Sequence, residues 1–234
     1  MNIFSDNDKV NSLIENIRNQ YTLTNVVSEH EIKQIVNLAI KLTMEYDTSH
    51  DIYHHISVYH NSFIILDSLE LELEETINEV ARIVTYASLL HDTIDYKYND
   101  TKEKEMILKE FLVGQLNDAT AETIIWIINN ISFSKEKQSG YPRQDQEVFV
   151  TKISRDIVSD ADKIEALGSI GLERCFAYNK SKNPTMNDSE VTKMVVQHCY
   201  DKLLILHRYC ITPKGKSIAV ELTKDIENFV KCPF

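Results

Sequence analysis

Three short stretches put imidazoles and carboxylates where helical periodicity expects core. They are His54, the pair His91-Asp92 with Asp95 close behind, and Asp160-Ala161-Asp162-Lys163. Burying such groups is costly unless they are paired or bound to a metal. Two imidazoles and two carboxylates form an N2O2 donor set with water filling the remaining positions. That mixture suits Mn, Fe, Co or Ni, tolerates Zn or Mg, and is unlike a closed structural zinc site. One divalent ion is therefore the expected cofactor. Asp160 and Asp162 compete for the last position, because residues two apart on a helix point about 200° away from each other.

The elements that must position these groups read as helices. Only five Gly and four Pro punctuate the chain, which favours long helices over the turn-rich pattern of a sandwich or barrel. Ser28 and Glu31 have capping-box spacing, and Ile32, Ile35, Val36, Ala39 and Leu42 follow at helical intervals, predicting a helix over about 29–45. A polar turn at Asp47–Asp51 leads into a second helical run that carries His54 in its first turns. Ile77, Val80, Ala81, Val84, Ala87 and Ser88 make one apolar stripe that runs directly into His91-Asp92.

Residues 93–104 read as a loop, followed by a helix with Met106, Phe111, Leu112 and Leu116. Asp118 is placed to cap the next helix, whose run from Ile124 to Ile131 is apolar nearly all round. That run is short and β-branched, and its helical neighbours favour helix over strand. Phe133–Gln146 reads as a loop that could act as a lid, with Lys135-Glu136-Lys137 solvated. A helix over about 147–166 ends at Gly168, and helices over about 189–209 and 216–231 close the chain.

The composition is that of a soluble globular protein: 43% hydrophobic and 26% charged residues among 234, with a mean hydropathy of −0.28. The net charge of −11 argues against a general nucleic-acid or anionic-membrane surface, since phosphate backbones attract clustered Lys and Arg. A small phosphorylated ligand needs only one local cationic pocket and is compatible with that charge. No apolar stretch reaches the ~20 residues that span a bilayer, and no membrane partner is expected. Four cysteines occur singly without a secretory leader, so the expected setting is reducing: cytoplasmic, or nuclear.

Ser49-His50-Asp51-Ile52-Tyr53-His54, Leu89-Leu90-His91-Asp92-Thr93-Ile94-Asp95-Tyr96-Lys97 and Ser159-Asp160-Ala161-Asp162-Lys163-Ile164-Glu165-Ala166-Leu167-Gly168 resemble the successive H…HD…D motifs of HD-domain phosphohydrolases. The likeness is greatest to small stand-alone bacterial HD proteins, some of them nucleotide diphosphohydrolases. It extends to Gly171-Leu172-Glu173-Arg174 and Tyr200-Asp201-Lys202-Leu203-Leu204. The resemblance implies an all-α, HD-domain helical bundle with the metal site between core helices. It further implies an N-terminal helical extension over 1–27 and a single HD domain over 28–232.

Carried over residue by residue, the resemblance makes His54, His91, Asp92 and Asp162 the metal ligands. Asp95 becomes the general acid/base, and Lys97 and Lys163 contact phosphate, with Arg174 and Lys202 in the same cationic pocket. Two positions depart from the family pattern: Ser57 stands where an arginine is common, and Ile94 where a glycine follows the HD pair. The implied function is metal-dependent hydrolysis of a phosphate or diphosphate bond in a nucleotide, a nucleoside di- or triphosphate for preference. A nucleoside monophosphate phosphatase or phosphodiesterase would use the same site. A catalytically silent nucleotide-binding or scaffolding module is the reading from another class, and a homo-oligomer is compatible with all of them.

Overall fold

The computed structural model describes residues 3–46, 51–94, 101–139 and 148–232. It is all-α, with no strand among the described residues. In chain order the elements are α1 (Ile3–Gln20), a 3-10 turn (Thr22–Val26), α2 (Glu29–Thr43), α3 (Ile52–Asp67), α4 (Glu74–Leu90), α5 (Thr101–Gln115), α6 (Asp118–Asn129) and α7 (Phe133–Ser139). There follow α8 (Phe149–Glu165), α9 (Gly168–Lys182), α10 (Asp188–His198), a π-helical turn (Cys199–Leu203), α11 (Leu204–Leu206), a 3-10 turn (His207–Tyr209) and α12 (Pro213–Lys231).

Capping chemistry sets several of these boundaries. Ser28 and Glu31 form the reciprocal capping box at the start of α2, and Asn187 and Glu190 form another at α10. Asp51 caps α3 by accepting from the His54 amide at 3.1 Å, which fixes the turn that carries the first imidazole. At α6 the cap is Asn117, whose side chain accepts from the Thr120 amide at 2.9 Å. This corrects the expectation for Asp118, which is the first helical residue and favours the helix dipole from there.

Three helices, α3, α4 and α8, pack pairwise at the centre. Their contacts are made by fully buried side chains such as Val58, Phe63, Ile83, Val84, Ile157 and Val158. Around them, α2 and α6 cover α4, and α12 lies across α8 and α9. From α1, Val10, Ile14 and Ile17 are buried in the same continuous core. The apolar run in α6 is helical, as its neighbours suggest, but only one side of it is deeply buried: Ala121, Ile124, Ile127 and Ile128 face inward.

Two expectations are corrected. Phe133–Ser139 is helix α7 and not loop, because Phe133 packs edge-on against Tyr209 with ring centroids 4.9 Å apart and Glu136 is buried. Residues 140–147 lie outside the described residues, and with them the lid. The segment after Gly168 is not a mere break but helix α9. Its path depends on glycine twice: Gly168 has φ of 72°, and a Cβ on Gly171 would meet the Ala166 carbonyl oxygen at 2.1 Å. The tight turn between α8 and α9 thus brings α9 back beside the end of α8.

Candidate metal centre

Each of the three central helices delivers a donor to one point. His54 comes from the first turn of α3, His91 from the end of α4, and Asp162 from the last turn of α8. One donor atom from each lies within 4.8 Å of the others. The two ring nitrogens Nε2 of His54 and His91 are 3.0 Å apart. Asp162 Oδ1 stands 3.5 Å from the first and 3.8 Å from the second. Asp92 Oδ2 lies 3.3 Å from His54 Nε2 and 3.4 Å from His91 Nε2. The four residues singled out in the sequence as ligands are thus brought together.

The protonation pattern fits a cation at this point. The Nδ1–H of His91 donates to the Ser88 carbonyl oxygen, 2.8 Å away, and a carbonyl can only accept. The proton of neutral His91 is therefore on Nδ1, and its Nε2 lone pair points at the cluster. Two imidazole lone pairs and two carboxylates converging at these distances repel one another unless a metal ion, or a proton shared between the rings, sits among them. The imidazoles are buried, at 5% and 1% side-chain exposure, whereas Asp92 and Asp162 retain 27% and 30%. The cluster is thus more exposed on its carboxylate side than on its imidazole side.

Behind the ligands stand groups that hold them. His55 is fully buried, with Nδ1 2.9 Å from the Leu89 carbonyl and its ring 4.9 Å from that of His91. Burial, reinforced by the neighbouring imidazoles, pushes its pKa well below the usual imidazole value, so it packs as a neutral ring. His54 Nδ1 lies 3.1 Å from Glu165 Oε2 and 3.0 Å from Arg174 Nη1, and those two are themselves an ion pair. Glu165 had no assigned role in the sequence, although its position three residues after Asp162 on one helix is a readable signal.

Of the two rival aspartates, Asp162 faces the cluster and Asp160 does not. Asp160 points the other way and is fully buried, accepting from the Ile211 amide (2.9 Å), the Thr212 amide (2.7 Å) and the Thr212 hydroxyl (2.7 Å). Burial pushes its carboxyl up to about 6 despite these donors. It ties α8 to the start of α12, where Thr212 caps the helix and a Cβ on Gly215 would meet Asp160 Oδ2 at 2.6 Å.

Among the described cationic residues, Lys163 faces inward. Lys163 is buried, its ammonium 2.9 Å from Glu136 Oε2 and 2.5 Å from Ser159 Oγ, with Arg155 Nη1 3.8 Å from the other Glu136 oxygen. This corrects one expectation: Glu136 is a buried carboxylate and not a solvated loop charge. Lys163, expected at phosphate, is ion-paired with it. Arg174 stands beside His54 with 26% of its side chain exposed. Lys202 is on the π-helical turn, 6.0 Å above the Phe133 ring and within electrostatic reach of Cys175, the residue after Arg174. Asp95 and Lys97 lie outside the described residues.

Comparison with known proteins bears on the fold that carries this geometry. No protein-family model matches the chain. YpgQ of Bacillus subtilis, an uncharacterised protein, is 27% identical over 152 residues, 64% of this chain and 69% of its own length. L803 of Acanthamoeba polyphaga mimivirus, also uncharacterised, is 30% identical over 154 residues, 60% of this chain, and the match spans 58% of that protein's length. Among solved structures, YpgQ in complex with ADP superposes with a TM-score of 0.61 at 22% identity, covering 86% of this chain and 94% of YpgQ. An HD-superfamily hydrolase from Bacillus thuringiensis gives 0.60 at 22% identity, covering 88% and 95%. The chain has the fold of the small bacterial HD-domain proteins. Among the described residues no helix is long and apolar enough to cross a membrane.

Proposed function

We propose that the chain is a metal-dependent phosphohydrolase that cleaves a phosphate or diphosphate bond in a nucleotide, with a nucleoside di- or triphosphate as substrate. The observation that carries this is the meeting of His54, His91 and Asp162 on three central helices, with Asp92 beside them. The HD-superfamily hydrolase among the structural neighbours and the ADP held by YpgQ support the reaction and substrate classes. A divalent ion held by His54, His91, Asp92 and Asp162 would supply an activated water and polarise a phosphoryl oxygen. The mixed N/O donors favour Mn, Co, Ni or Fe and tolerate Mg or Zn.

The residues of the chain then divide the work. His54 and His91 form the buried floor and keep water off the inner side, and Asp92 and Asp162 hold the half-open rim. Asp95, four residues after His91, takes or orients the proton of the attacking water, and Lys97 neutralises charge on phosphate. Arg174, partly exposed beside His54, is the cation nearest the cluster among the described candidates. Catalysis of this kind is chiefly positioning and electrostatic stabilisation.

The decisive experiment incubates metal-stripped protein with Mn, Co, Ni, Fe, Mg or Zn and a panel of nucleoside mono-, di- and triphosphates and cyclic nucleotides, identifying every product by chromatography. Release of pyrophosphate or orthophosphate from a di- or triphosphate is the expected result. Turnover confined to monophosphates would make the protein a monophosphatase, and confined to diesters a phosphodiesterase. Binding without turnover of any nucleotide would make it a silent module.

A further inference from the structure

We infer that Glu165 is the positioning residue of the metal centre, fixing the proton of His54 on Nδ1 so that Nε2 faces the ion, with Arg174 as the clamp that holds Glu165. The inference rests on the metal-centre reading above and extends it to two residues that are not ligands. His54 Nδ1 lies between a carboxylate at 3.1 Å and a guanidinium nitrogen at 3.0 Å. These partners make opposite demands. A carboxylate only accepts, so it calls for a proton on Nδ1. A guanidinium only donates, so bonding from Arg174 would leave Nδ1 bare, put the proton on Nε2 and aim it at the other ligands.

The surroundings decide between them. Nε2 of His54 faces His91 Nε2, Asp92 and Asp162, a set that suits a bare nitrogen gathered round a cation. The Nδ1 proton then goes to Glu165, and Arg174 spends its charge on the same carboxylate, with which it is paired. Glu165 is 6% exposed, so a hydrogen bond donated by His54 Nδ1 across the 3.1 Å between them would be shielded from competing water. A carboxylate behind a ligating imidazole holds the ring orientation and raises its basicity, and losing such a partner weakens metal binding about 10–100-fold. Backbone geometry supports this assembly: Gly168 and Gly171 make the tight turn that carries Arg174 back to the end of α8.

The test uses the full-length, metal-stripped protein and Co2+ alone as probe, titrated calorimetrically. Wild type should take up about one ion, and Glu165→Gln should bind it about 10–100-fold more weakly with an altered visible spectrum of the bound Co2+. Glu165→Gln also strands Arg174, so the doubly neutral Glu165→Gln/Arg174→Gln variant is the key comparison. It should melt close to wild type without metal, yet keep the weakened Co2+ affinity. Full affinity in the double variant would mean that Glu165 is only a counterion for Arg174, and the inference fails. If wild type takes up no ion, or His91→Ala binds as well as wild type, the metal-centre reading itself is wrong. A measurement on Zn2+-loaded wild type needs no variant: nitrogen NMR of labelled histidines should show His54 protonated at Nδ1 with a strongly downfield proton. A proton on Nε2 would overturn the proposal.

Discussion

Replacing Glu136 by leucine removes the carboxylate from a buried ion pair and leaves Lys163 without its counter-charge. The ammonium and carboxylate are 2.9 Å apart, with side chains 1% and 3% exposed. At that distance and an effective dielectric of about 20, their attraction is about 6 kcal/mol. What a single substitution loses is governed by the stranded charge, and breaking such a pair costs about 3–5 kcal/mol. Glu136→Leu should therefore lower unfolding stability by about 3–5 kcal/mol, a fall in Tm of about 6–20 °C for a chain of this size. Lys163→Met should cost a similar amount, because it strands Glu136. The double variant, apolar at both positions, should recover most of the loss. Urea unfolding of the four proteins, with metal content measured on each, completes the cycle. Single variants within about 1 kcal/mol of wild type, or a double variant as unstable as the two losses added, would refute a committed internal pair. Lys163→Met with normal stability and a raised KM would instead return Lys163 to phosphate binding.

Three further outcomes follow from the site. His91→Ala, Asp92→Ala and Asp162→Ala should each abolish stoichiometric metal uptake, read by metal analysis; the two aspartate variants should stay close to stripped wild type in Tm, while His91→Ala, which empties a buried ring site, should melt lower; unchanged uptake in all three would remove the site. Asp160→Ala should still take up one metal ion, more weakly than wild type, and lose about 2–4 kcal/mol in urea unfolding, because the Ile211 and Thr212 amides lose their buried acceptor; complete loss of metal with stability intact would make Asp160 the ligand. Asp95→Asn should retain metal and bind nucleotide while its single-turnover rate falls about 10²–10⁴-fold, and loss of metal together with rate would make Asp95 a ligand.

The grouping of the candidate ligands was legible because local sequence signals and chemistry agreed. The apolar stripe of α4 runs straight into His91-Asp92, and the Asp51 cap fixes where α3 begins, so both imidazoles could be placed on their helices in advance. What stayed hidden depends on partners remote in sequence. Glu136 looks like any carboxylate in a charged, Ser-rich stretch, and nothing local says that Lys163, 27 positions later, has turned inward to meet it. Likewise, α9 follows a glycine that ordinarily ends a helix. Only the close approach of Gly171 to Ala166 shows that the chain turns and continues. Glu165 and Arg174 were both in view as letters of a motif, but their meeting at His54 requires that turn.

The two opposite faces of α8 link α12 to the candidate site. One face presents Asp162 to the cluster of His54, His91 and Asp92, and the other is tethered through Asp160 to the amides of Ile211 and Thr212. Any rotation of α8 about its axis strains both ends of this arrangement together, so α12 works like a key that locks a shaft at one angle. Changes at Thr212 or Gly215, far along the chain from every candidate ligand, should register as altered metal affinity, and α12 belongs to the proposed centre's framework as much as the helices that bear its donors.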